Sequence, residues 1–225
     1  MATTRAAGAA KTAAIADELI YPKQADAISA RLNLKTNILI YGEELFLIDD
    51  LAREITLKLK KAAAAHFTSA SARHINISDS NFDYGEFLSS EDTFSLFGAE
   101  DFCVKIIRGL EEFGASSPMM KKFCKYLDAI DKKGAEENPT SLVILVYAVK
   151  KPVAEVVKNT KNFIAINCKK MYENDIFAYA RKLAARTRKS FTDDAVSALA
   201  ERSRMNLFQI NSEIGRLAIL NHEKA

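Results

Sequence analysis

Asn37-Ile-Leu-Ile-Tyr-Gly42-Glu-Glu-Leu-Phe-Leu-Ile-Asp-Asp-Leu-Ala-Arg-Glu-Ile55 reads as a buried strand, a glycine turn and a helix. That order of elements normally holds a nucleotide phosphate, because the turn's amides and the helix N-terminus point at the anion. The chemistry here is wrong for that task. A phosphate loop needs G-x-x-x-x-G-K-[ST], so that backbone N–H groups cradle the phosphates, a lysine reaches them and a hydroxyl holds the metal. Counted from Gly42, the last three places hold Leu47, Ile48 and Asp49. Glu43 and Glu44 add two carboxylates where the anion would sit, and like charges repel. The segment is therefore a degenerate phosphate loop, a nucleotide-binding scaffold expected to bind no nucleotide.

Outward from this stretch, short apolar runs recur with helical segments between them. Arg73 to Ile77, Phe102 to Ile107, Leu142 to Ala148 and Phe163 to Ile166 join Ile38 to Tyr41 as strands, β-branched or aromatic and mostly continuous. Continuous apolar strands are buried on both faces, as in a parallel sheet. Ile48, Leu51, Ile55 and Leu59 keep helical spacing, and so do Met119, Phe123, Leu127 and Ile130 behind Pro118. A further helix is expected just after Pro22, where proline suits the first turn. Strand, helix, strand is the α/β pattern. Gly134 and Pro139 break a polar stretch that reads as a surface loop.

After Asn167 only helical patterns remain. Ile176, Phe177, Ala180, Leu183 and Ala184 form one stripe; Phe191, Ala195, Val196 and Leu199 form another behind Thr192 as N-cap; Leu207, Ile210, Ile214 and Leu217 form a third. The spacing predicts an α/β domain over 1–167, with 1–17 a disordered extension, and a three-helix lid over 168–225.

Composition narrows the function classes. The 225 residues are 48% hydrophobic, enough for a core, and no run approaches the roughly 20 apolar residues that cross a bilayer. A formal net charge of +3 does not announce nucleic acid, so any basic surface must be local. Cys103, Cys124 and Cys168 match neither a disulfide framework nor a metal knuckle, and read as reduced thiols of a cytoplasmic protein. His66, His74 and His222 lack ligand spacing, so no metal and no cofactor are expected. Asp49 and Asp50 could mimic a metal-binding pair, but acids at a helix start favour the helix dipole without metal. No Ser-His-Asp or Cys-His set sits at motif spacing.

Two basic clusters stand out. Lys150-Lys151 ends the Leu142 strand, with Lys158 and Lys161 after it, at an edge where α/β proteins place ligands. Arg181, Lys182, Arg186, Arg188 and Lys189 form a basic face on the lid. Lys150, Lys151, Arg181, Arg186 and Arg188 are candidate DNA contacts, with a solvated rim the plainer reading because no aromatic platform is interleaved. In Phe94-Ser-Leu-Phe97, three large apolar residues in four places cannot all point one way on a helix. Either they cap the core ahead of the Phe102 strand, or an exposed anchor fills a partner's pocket.

An α/β domain with a phosphate-loop position and a small helical lid is the plan of the AAA+ ATPases. Within that class the chain resembles the delta-subunit family of the bacterial DNA polymerase III clamp loader. The likeness runs through Leu19-Ile-Tyr-Pro-Lys-Gln-Ala, Ile40-Tyr-Gly-Glu-Glu-Leu-Phe-Leu-Ile-Asp, Thr93-Phe-Ser-Leu-Phe-Gly-Ala-Glu-Asp-Phe, Leu142-Val-Ile-Leu-Val and Asn206-Leu-Phe-Gln-Ile-Asn-Ser-Glu-Ile-Gly-Arg-Leu217, in order and spacing. The resemblance implies a subunit that hydrolyses no ATP, has no catalytic residue and works within the polymerase holoenzyme. It would bind and help open the sliding clamp (the beta subunit). The wedge would be Leu96 and Phe97, with Phe94 and Ser95 beside them, which reverses the preference for core capping. Implied partners are the other loader subunits (gamma/tau and delta prime) and primed DNA, with no membrane. Family members usually carry a third, all-helical collar domain; it is expected to be absent here. The rival readings are an active or regulatory P-loop-like NTPase and a nucleic-acid-binding adaptor.

Overall fold

The computed structural model describes residues 15, 17–87, 101–133 and 141–220. Among these the chain divides into two compact units, Met1–Lys169 and Lys170–Ala225.

The first unit is built on a six-stranded sheet in the order β1-β6-β2-β5-β4-β3, with every pair parallel. Its strands are β1 (Leu19–Ile20), β2 (Ile38–Gly42), β3 (Ser69–Asn76), β4 (Asp101–Arg108), β5 (Ser141–Tyr147) and β6 (Ile164–Cys168). Its helices are α1 (Ala25–Arg31), α2 (Leu45–Ala63), α3 (Pro118–Lys133) and α4 (Ala154–Lys158). The chain leaves β2, builds outward to β3, returns through β4 and β5 to β2's flank, then crosses to β6 on the other side. β2 is thus where the direction of winding reverses, the place where open α/β sheets put ligands at the strands' C-terminal ends.

Burial explains the periodicities. β2 and β5 are apolar on both faces and almost wholly buried. One face packs Leu39, Val143, Leu145, Ile107 and Ala165 against Phe123 and Leu127 of α3 and Val156 of α4. By strand alternation Ile38, Ile40, Ile144 and Ile166 turn to the other face, where α2 lies. Leu47, Ile48, Leu51, Ile55 and Leu59 of α2 are each at most 2% exposed, and each such burial contributes about 2 kcal/mol.

Three expectations need correction. β3 starts earlier than its apolar residues suggested, and it is mostly exposed because it forms the sheet edge. The first helix begins at Ala25 rather than directly after Pro22, because Pro22 to Gln24 form the turn that follows β1. Ile15, expected in a disordered extension, packs against the core, while residues 1–14 and 16 lie outside the described residues.

The second unit has three helices, α5 (Glu173–Arg186), α6 (Asp193–Arg202) and α7 (Leu207–Leu220). Ile176, Tyr179, Ala180, Leu183, Val196, Ala200, Leu207, Ile210 and Ile214 are among its buried apolar residues. Thr192 caps α6, its Oγ1 accepting the Ala195 N–H at 3.2 Å.

Candidate functional site

Gly42 ends β2 in register with Cys168, the last residue of β6. Its φ is +148°, and a Cβ at this position would come within 2.6 Å of the Cys168 carbonyl carbon and 2.9 Å of its Cα. The glycine is required by the neighbouring strand's backbone. The Glu44 N–H, which a phosphate loop would aim at its ligand, donates to the Cys168 carbonyl at 3.2 Å. α2 then starts at Leu45, so only Glu43 and Glu44 separate strand from helix. Two residues cannot form a cradle that needs four between its glycines.

Leu47 and Ile48, at the second-glycine and lysine places, are 0% and 1% exposed and belong to the core under α2. Neither points a polar group toward the sheet's C-terminal edge. Asp49, at the hydroxyl place, accepts from Arg108 Nη1 at 2.6 Å. Arg108 is the last residue of β4. In P-loop NTPases a loop hydroxyl and a strand-end aspartate together hold Mg²⁺. Here an anion and a cation bond each other directly, leaving no pair of oxygens for the ion. Asp49 and Asp50 also fall outside the first turn of α2, contrary to their expected role as helix-start acids. Asp50 is buried and accepts from Arg53 at 2.6 Å.

The rest of the edge is similarly self-paired. Glu43 faces Lys150 at 3.7 Å. Glu18 takes the Tyr41 hydroxyl, the Asn167 amide at 3.4 Å and Lys169 at 3.6 Å. Burial and then the Glu18 hydrogen bond push the Tyr41 phenol well up from its ordinary value. Tyr147, in register beside Tyr41, is pushed up to about 12, first by burial and then by the Glu111 charge. Burial, with the Glu44 charge behind it, likewise raises the Cys168 thiol. These groups stay protonated at neutral pH, so none supplies a base or a thiolate nucleophile.

The structure separates residues that are close in sequence. Lys150 and Lys151 are exposed just beyond β5, but α4 carries Lys158 and Lys161 back toward the start of β6. There the Ile164 N–H bonds the Asn37 carbonyl ahead of β2, at the sheet's opposite end. The expected four-lysine cluster is two separate pairs. In the second unit, Arg181 is held by Asp193 at 2.8 Å, while Arg186 and Arg188 are exposed, Arg188 with a left-handed φ of 57°. Phe94, Ser95, Leu96 and Phe97 lie outside the described residues. Among the described residues there is no cluster of three metal-ligating side chains, and no helix is long and apolar enough to cross a membrane.

Sequence reasoning missed Arg108 and Glu18. Arg108 had a signal: it closes an apolar strand, at a place where metal-dependent phosphate chemistry asks for an acid. Glu18 had none, because its partners come from two distant places in the chain, Tyr41 and the Asn167–Lys169 segment.

No family model and no curated protein matches the chain. Solved structures do match. The Bacillus subtilis DNA clamp loader delta protein superposes with a TM-score of 0.53 at 13% identity, over 88% of this chain and 56% of that one. The chain thus spans little more than half the length of that protein. Domain III of the Thermotoga maritima replication initiation protein DnaA gives 0.51 at 11% identity, over 90% of this chain and 86% of that one. The fold is AAA+-like α/β. At these identities the likeness speaks for architecture only.

Proposed function

We propose that this chain is a clamp-loader delta-type subunit, which binds a ring-shaped sliding clamp and helps to open it during DNA replication without hydrolysing ATP. The observation that carries the reading is the Gly42 turn. On an AAA+-like fold its amide is committed to Cys168, its helix is packed by Leu47 and Ile48, and its metal position is an Asp49–Arg108 ion pair. A module that keeps the motor's architecture without its nucleotide chemistry is suited to work as a rigid binding element.

In this reading Leu96 and Phe97 enter a pocket on the clamp, flanked by Phe94 and Ser95, and bury apolar area worth a few kcal/mol, roughly one well-filled anchor each. Binding favours a clamp surface compatible with the open ring, as a ligand favours the state it contacts better. ATP-dependent control comes from the gamma/tau and delta prime subunits. Primed DNA is a further partner, with Lys150, Lys151, Arg181, Arg186 and Arg188 as its candidate contacts.

Surface plasmon resonance against an immobilised bacterial sliding clamp tests the reading. The wild-type chain should bind, and the Leu96→Ala/Phe97→Ala double variant should lose at least about tenfold in affinity. Absence of wild-type binding, or binding unchanged by the double substitution, would exclude this mechanism.

A further inference from the structure

β3 (Ser69–Asn76) is the open edge of the sheet: β4 pairs with one side, and no described strand pairs with the other. Its eight residues are mostly exposed. Such an edge presents backbone donors and acceptors ready to take another strand.

The strand is asymmetric in size and its flanks are asymmetric in charge. Ser69-Ala-Ser-Ala72 are small, whereas Arg73-His-Ile-Asn76 are large. Ile55 to Ser78 holds Lys58, Lys60, Lys61 and Arg73 with no acid, and Asp79, Asp83 and Glu86 follow at the strand's far end. Antiparallel pairing of β3 with itself turns both asymmetries into complementarity. A two-fold axis through such a pair stands perpendicular to the sheet, so opposed residues must come from the same face. Centring the axis on Ala72 satisfies this. It sets Ser71 against Arg73, Ala70 against His74 and Ser69 against Ile75 of the second copy, small against large throughout. Centring it on Arg73 would oppose two guanidinium groups, which is destabilising.

We propose that β3 is a self-association edge, through which two copies of this chain join antiparallel about Ala72 into one continuous sheet. The ends of the paired strands fit as well. A hollow of about 540 Å³ borders the second half of β3, rimmed by Asn76, Asp79, Phe82, Asp83 and Glu86. The acid-free end of the second copy's β3, preceded by His66 and the lysines of α2, arrives beside it.

Sedimentation velocity from about 5 to 300 µM tests the edge; one strand pair lies below the size of a standard interface, so dissociation on the order of 100 µM is expected. Ser71 is exposed and would face Arg73 twice in each dimer. Ser71→Glu should tighten the dimer roughly tenfold, and Ser71→Arg should weaken it by a similar factor. Ala72→Cys provides a second readout that needs no charge change. Mild oxidation should link two copies through position 72, while Asp26→Cys, exposed and away from β3, should stay monomeric. A wild type and a Ser71→Glu variant that both remain monomeric, two Ser71 variants that shift in the same direction, or an Ala72→Cys chain that does not cross-link would each overturn the proposal.

Discussion

Arg108 Nη1 lies 2.6 Å from Asp49 Oδ1, joining the end of β4 to the third residue of the broken Gly-Lys-[ST] triplet. In sequence the substitution of Asp49 looks like a mere loss. In space it is half of a replacement, because Arg108 supplies the opposite charge where a metal-holding acid would stand. Restoring the motif alone should therefore fail. A Leu47→Gly/Ile48→Lys/Asp49→Thr variant is expected to show no heat of binding with MgATP in isothermal titration. The two-residue loop and the Glu44–Cys168 bond still deny the phosphates a cradle, and Arg108 now faces an empty place. Micromolar ATP binding by that variant would show that the loop chemistry, not its geometry, is limiting.

The ion pair itself should be nearly silent in stability. Both side chains are more than a third exposed, and such pairs contribute about 0.2 to 1 kcal/mol. A double-mutant cycle with Asp49→Ala and Arg108→Ala, followed by urea unfolding, should give a coupling in that range that shrinks in about 1 M salt.

Gly42 should behave in the opposite way. With φ at +148° and Cys168 backbone atoms within 3 Å of an added Cβ, Gly42→Ala must displace β6 from β2. A cost of about 3 kcal/mol or more is expected, visible as a lowered urea midpoint or loss of soluble protein. A variant as stable as wild type would mean that the two strand ends are free to part.

What the sequence revealed and what it withheld follow from range. Leu47 and Ile48 announce a helix packed on a sheet, because apolar periodicity is local and both residues are buried. The strands around Ile38, Val104 and Ile144 were legible for the same reason. β3 was misjudged because burial on both faces depends on position within the sheet, which no single segment encodes. The pairing of Glu18 with Tyr41, Asn167 and Lys169 was illegible because it joins residues more than twenty positions apart. Lys158 and Lys161 looked close to Lys150 until α4 carried them to the opposite end of the sheet.

High pH should unfold the first unit through its buried tyrosines. Tyr147 is raised from an ordinary 10.0 to about 12, and Tyr41 is raised as well. A phenol whose folded pKa lies above its unfolded value holds its proton more tightly in the folded state. Its contribution is fully present below about pH 10 and is lost as pH rises toward the folded value. Urea midpoints should therefore fall between about pH 10 and 12, and Tyr147→Phe should make that fall shallower. Absorbance near 295 nm should show these phenolates appearing with unfolding rather than before it. A midpoint that does not fall over this window would remove the tyrosines as its cause.

The turn after α6 offers a gain rather than a loss. Arg204 and Met205 have φ values of 50° and 58°, in the left-handed region that side chains with a Cβ adopt only at a cost. The hydrogen bonds identify the motif: the Arg204 N–H donates to the Glu201 carbonyl at 2.8 Å and the Met205 N–H to the Ala200 carbonyl at 3.0 Å. This is the Schellman ending of a helix, and its first left-handed residue is the place where glycine is favoured. Arg204 is exposed and makes no ion pair among the described residues, so little contact is lost on replacement. Arg204→Gly should stabilise the second unit by about 0.5 to 1 kcal/mol, the relief of the left-handed residue less glycine's greater freedom in the unfolded chain. Thermal unfolding followed by circular dichroism should show a rise of a few degrees, while Thr192→Ala, at the opposite end of the same helix, should lower it through loss of the Ala195 cap. A lower melting temperature for Arg204→Gly would mean that the arginine side chain, rather than its backbone conformation, sets the stability of this turn.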